Sequence, residues 1–120
     1  MLSGLKIYLR VAWACKTPLV FLLDTEYKPI SVTTLKEIAA RIKRRFKYIK
    51  NVSDCDDAAL LFKAAASERQ ENGVGLIFGK TPRGIHAWNV TICPDGIFEV
   101  EPQTAVIGKR KGYKPCVVII

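Results

Sequence analysis

With 120 residues, a formal charge of +8, 49% hydrophobic and 25% charged residues, the chain is long enough for one compact domain, 1–120, and too short for two with separate cores. Its 8 glycines and 6 prolines, and the spread of short apolar runs, exclude a disordered or collagen-like chain. No uninterrupted apolar run is longer than Leu19 to Leu23, far short of the roughly 20 residues that cross a bilayer, so no membrane partner is expected.

In chain order, Leu5, Ile7, Leu9, Val11 and Trp13 alternate with Lys6, Tyr8 and Arg10, and this period of two predicts a half-buried strand. Leu19–Leu23 predicts a short strand buried on both faces, followed by a polar connection over residues 24–30. From Ser31 the period becomes helical: Leu35, Ile38, Ala39, Ile42, Phe46 and Ile49 form one stripe. Its start is Thr34 with Glu37 as a capping box, or Ser31. A second helix is expected from near Asp54 to about Gln70, with Cys55, Ala59, Phe62 and Ala66 buried and Asn72-Gly73 as its stop.

Beyond Gly73 the pattern is that of strands: Val74–Phe78, a turn over Gly79–Gly84, His86–Cys93, a Pro94-Asp95-Gly96 turn, Ile97–Glu101, and a last strand at Cys116–Ile120. The fold class expected is α+β, two helices packed on a mostly antiparallel sheet.

Four cysteines at irregular spacing, with no CxxC and no Cys/His cluster, indicate reduced thiols and a cytoplasmic protein. Ala12-Trp13-Ala14 has the form of a leader cleavage site, but Lys6 and Arg10 interrupt the apolar core that a leader needs. The basic run Arg41, Lys43, Arg44, Arg45 and Lys47 makes nucleic acid a less favoured partner, because a charge run on an amphipathic helix is usually its solvated face.

The chemistry-bearing residues are few. Cys55 falls in the first turn of a predicted helix, where free backbone N–H groups favour a thiolate. His86, the one histidine, suits a general base, and Glu101 suits the group that orients it. Side chains alternate along strands, so His86 and Glu101 share a face only if Ile92 pairs with Ile97 across the turn. Asp54, Asp56 and Asp57 flank Cys55 and oppose a thiolate, which would then depend on His86 or on a cation held by those carboxylates. Trp88 and Gln103 are candidates for the wall and the substrate contacts of such a site.

Asp54-Cys55-Asp56-Asp57 before a helix, His86-Ala87-Trp88, the Pro94-Asp95-Gly96 turn and Val100-Glu101-Pro102-Gln103 together resemble the papain-like and transglutaminase-like cysteine peptidase superfamily. Within it they look closest to the peptidase domain of a mushroom agglutinin and its bacterial and phage relatives. The resemblance implies a thiol-dependent amide hydrolase with a Cys55 nucleophile, a His86 base, an orienting Glu101, a peptide or protein substrate and a requirement for calcium or another divalent cation, with Asp54, Asp56, Asp57 and Glu101 as candidate ligands. A transglutaminase-type acyltransferase, a catalytically inactive binding relative and a basic nucleic-acid-binding module are the alternatives left open.

Overall fold

Residues Gly4–Cys15 form a helix, α1, where the alternation predicts a strand. The odd-numbered apolar residues are also two sets spaced by four. Ile7, Val11 and Cys15 face inward with Gly4, while Leu5, Leu9 and Trp13 face solvent. The Ser3 hydroxyl accepts the Lys6 N–H at 3.4 Å, and Lys16 ends the helix in the left-handed conformation. Period-two patterning failed because every odd residue was apolar, which satisfies both repeats.

The computed structural model describes residues 1–120 and contains three helices, not the expected two, and two sheets. A small antiparallel pair joins β1 (Leu2–Ser3) to β3 (Glu26–Tyr27). The main sheet has the order β2-β8-β4-β5-β6-β7. Its strands are β2 (Val20–Phe21), β4 (Val74–Thr81), β5 (Gly84–Cys93), β6 (Gly96–Glu101), β7 (Val106–Ile107) and β8 (Lys114–Ile119). All neighbours are antiparallel except β2 and β8. The strand expected to be buried on both faces is the edge strand β2, so Val20 is buried but Leu19, Phe21 and Leu23 are exposed. The connection after it is not wholly polar in role: Tyr27 is buried, its hydroxyl donating to the Ile120 carbonyl at 2.7 Å and accepting the Asp24 N–H at 3.0 Å.

Helices α2 (Val32–Arg45) and α3 (Cys55–Glu68) match the predicted pair, with shorter ends. Ser31, the second of the two expected starts, caps α2 by accepting the Thr34 N–H at 3.1 Å. Phe46 ends α2 with extended backbone, so Ile49 lies outside the helix and is exposed. At α3, Asp57 reaches back to the Asp54 N–H at 3.0 Å.

Alternation along β5 divides the core between the two faces of the sheet. Trp88, Val90 and Ile92 pack with Ile7 and Val11 of α1, whereas Cys93 packs with Phe62 of α3 and Leu35 of α2. Ala87 joins Ala59 and Leu76 on the side of α3. The β4–β5 hairpin is tighter than expected: the strands run through Gly79 to a Thr81–Gly84 turn.

Cys15 closes the α1 side of the core, and burial pushes its thiol from 9.0 up to about 12. The folded state therefore holds a proton that the unfolded chain releases above about pH 9. The stability this gives is full below pH 9.0 and is lost as pH rises towards about 12, in total up to about 4 kcal/mol. Urea denaturation at about pH 8 and about pH 11 should show a smaller alkaline loss in Cys15→Ala than in the wild type; equal losses would contradict the assignment.

Candidate functional site

Across the Pro94-Asp95 turn, Ile92 pairs with Ile97 and Asn89 with Val100, the register that places His86 and Glu101 on one face. His86 Nε2 lies 2.6 Å from Glu101 Oε2. A carboxylate only accepts, so Nε2 carries a proton and donates; no group of the chain bonds Nδ1. The Glu101 side chain is 4% exposed and that of His86 17%, so the pair is withdrawn from water and open at one end. The remaining Glu101 oxygen accepts the Gln103 N–H at 3.4 Å. Gln103 thus meets the site through its backbone.

Trp88 is buried beneath the imidazole, with ring centroids 5.8 Å apart and planes at 19°. It supports His86 from the core and does not face a ligand in solution, contrary to a role as the exposed wall. Its indole N–H donates to Glu99 Oε1 at 2.8 Å, so a second carboxylate is buried behind the first pair. Tyr113 stands edge-on to both rings, at 5.7 Å from His86 and 5.0 Å from Trp88. The Arg110 guanidinium lies 5.2 Å from the Tyr113 centroid. Burial, and then the charge of Glu101, raise the Tyr113 hydroxyl above its usual value, with Arg110 and Arg83 opposing.

Sequence reading missed Glu99 and Tyr113. Glu99 was findable, since it sits two residues before Glu101 and so on the same strand face. Tyr113 follows an irregular basic loop, Gly108–Gly112, and no spacing connects it to His86.

Cys55 does begin α3, as expected, and it packs beside Ala59, Leu76 and Ala87, with its thiol hydrogen-bonded at the Ala87 backbone, next to His86 in sequence. No hydrogen bond joins its thiol to His86. Burial raises the Cys55 pKa above 9.0; Asp54 and Asp56 raise it further, and backbone hydrogen bonding from Ala87 and Asp56 only offsets this. The neutral thiol is favoured, in keeping with the expected opposition of the flanking carboxylates. Of the other cysteines, Cys15 and Cys93 are buried, but Cys116 is exposed.

The ligand atoms of Asp54, Cys55 and Asp56 lie within 4.8 Å of one another. Asp57 is engaged in capping Asp54 and Glu101 in holding His86, so neither joins them. Two carboxylates and a thiol fall short of the roughly six to eight oxygens that calcium takes. Asp54 is raised above its ordinary range, first by hydrogen bonding with Asp56, as expected of crowded carboxyls. The basic run of α2 ends in exposed Lys43, Arg44 and Arg45, where cations complement the helix dipole.

No family model and no curated protein matches the chain. Solved structures of the same fold include a PSL1a–E64 complex, with TM-score 0.81 and 21% identity over 99% of this chain and 51% of that one. They also include Polyporus squamosus lectin bound to the human-type influenza-binding epitope Neu5Aca2-6Galb1-4GlcNAc, with TM-score 0.80 and 21% identity over 99% and 49% of the two chains. The expectation of a papain-like or transglutaminase-like cysteine peptidase, a thiol hydrolase acting on peptide, is corrected by this result: the neighbours are structures of a lectin, a binding protein. What the chain shares with Polyporus squamosus lectin is its fold, over about half the length of that protein.

Proposed function

We propose that the chain is a ligand-binding module whose site is centred on His86 and Glu101, and that its ligand carries a carboxylate together with hydroxyl groups. The observation that carries this reading is the His86–Glu101 pair, drawn 2.6 Å together in a largely buried position with Nδ1 free. Pairs of this kind cost desolvation and add little stability, so their use is better sought in recognition. Glu101 fixes the imidazole, and Nδ1 is the position left to bond a ligand. Arg83 and Arg110 supply cations on the Tyr113 side, suited to a carboxylate. Asp54 and Asp56, beside Cys55 at the start of α3, supply acceptors for hydroxyl groups. The acidic sugar bound by Polyporus squamosus lectin has this chemistry, and that likeness supports the reading.

A divalent cation at Asp54 and Asp56 belongs to the same proposal, with the ligand's own oxygens completing the coordination that the chain leaves short.

Titrating the ¹⁵N-labelled chain with Neu5Aca2-6Galb1-4GlcNAc and, separately, with E64 tests the site. At least one of them should shift the resonances of His86, Gln103 and Tyr113. His86→Ala should weaken that binding about tenfold or more, the value of a hydrogen bond to a charged group. If neither compound perturbs these residues, or if His86→Ala binds as the wild type does, the reading fails. Adding EDTA should weaken binding if a cation takes part.

A further inference from the structure

Folding Leu5–Trp13 as a helix leaves an apolar stripe with nothing packed on it. Leu5 is 70% exposed, Leu9 58% and Trp13 87%, and they are spaced by four along the outer face of α1. A shallow groove of about 350 Å³ continues the stripe between Trp13 and Pro18. Contiguous exposed apolar surface of this kind marks a contact surface, because each group gains by leaving water. Lys6 and Arg10 each follow a stripe residue by one position, Lys16 lies just beyond the helix, and Lys109 bonds the Ala14 carbonyl at its C-terminal end. The helix itself carries no acidic residue, and Asp24 lies at its opposite end, near Gly4.

We infer that this face of α1 lies on an anionic lipid surface, with Leu5, Leu9 and Trp13 inserted at the level of the headgroups. An interfacial helix needs an apolar face bordered by cations, with tryptophan at the boundary, and α1 meets both conditions. No helix is long and apolar enough to cross a membrane, so the contact is parallel to the surface. Charge complementarity selects the occupant. Two copies meeting through this stripe would bring Lys6 and Arg10 of each together on chains of charge +8, whereas an anionic bilayer attracts both. The sequence-based expectation of no membrane partner rests on the lack of a spanning segment, which a surface contact does not need.

The two tryptophans make the test direct, since Trp88 is buried and Trp13 is in solvent. Vesicles of phosphatidylcholine with phosphatidylserine should shift the emission of the full chain to shorter wavelength and sediment it, with weaker effects at higher salt. Trp13→Ala should abolish the spectral shift, and Leu9→Ser should reduce sedimentation several-fold; both sites are exposed, so the fold is kept. Lys6→Gln with Arg10→Gln should weaken partition roughly twenty-fivefold, about fivefold per charge. Vesicles that leave the wild type in the supernatant overturn the inference, as does partition that these variants do not change. Lipid-free self-association that buries Trp13 also overturns it, and assigns the stripe to a second copy.

Discussion

Gly79→Ala is expected to destabilise the chain by about 3 kcal/mol or more, and to leave little folded protein if total stability is at the low end of the usual range. Gly79 lies in β4, opposite His86 on β5 and Pro115 on β8, where the register of β4 and β8 shifts. A Cβ there would run into the Lys114 carbonyl and stand 2.7 Å from the indole of Trp88. Neither obstacle is a flexible chain end: one is backbone in a hydrogen-bonded strand and the other is a buried ring. Urea denaturation followed by far-UV circular dichroism measures the loss. Adding Trp88→Phe should recover only part of it, because the clash with Lys114 remains; full recovery would show that the ring alone requires the glycine.

Trp88→Ala is the second large effect, expected at about 3–5 kcal/mol. The side chain fills the core between the sheet and α1, and its loss also strands Glu99, whose Oε1 accepts the indole N–H at 2.8 Å. Trp88→Phe keeps much of the volume and removes only the donor, so it separates the two contributions. It should cost about 1–3 kcal/mol, the penalty of a buried acceptor left unpaired. Because Trp88 also backs the His86 ring, Trp88→Phe should broaden or move the His86 resonances while leaving the Glu101 contact in place. A Trp88→Phe variant as stable as the wild type would mean that the Glu99 bond contributes nothing net.

These two residues show where sequence reading succeeds and where it stops. Trp88 lies on a strand that was legible, because β5 and β6 are bounded by turn residues, and the observed Ile92–Ile97 pairing is the one of the two open registers that sets His86 and Glu101 on one face. That register, a condition in the sequence, is met in the structure, where His86 and Glu101 are in contact. Helices α2 and α3 were legible from spacing and from their caps, Ser31 and Asp54. Helix α1 was not, because its apolar residues serve two faces, of which only Ile7, Val11 and Cys15 reach the core. The edge position of β2 was hidden for a related reason: Leu19–Leu23 is apolar throughout, and which neighbours cover it is decided by residues 114–119, far along the chain. At Cys55 the helix start was read correctly, but burial among Ala59, Leu76 and Ala87, which raises its thiol, comes from β4 and β5 and is not visible in the spacing around Cys55.

The sheet order also governs how the chain can assemble as it is made. Strand β8, last in sequence, pairs with both β2 and β4, and the Ile120 carbonyl receives the Tyr27 hydroxyl. Until that segment leaves the ribosome, β4 presents an open edge and β2 has no partner in the sheet. The helices and the β4–β5–β6 meander can form early from local contacts, but the sheet is joined only by a contact spanning nearly the whole chain, from Val20 to Val118. Folding is therefore gated by the synthesis of β8, and nascent chains stalled before it should be the aggregation-prone and protease-sensitive species.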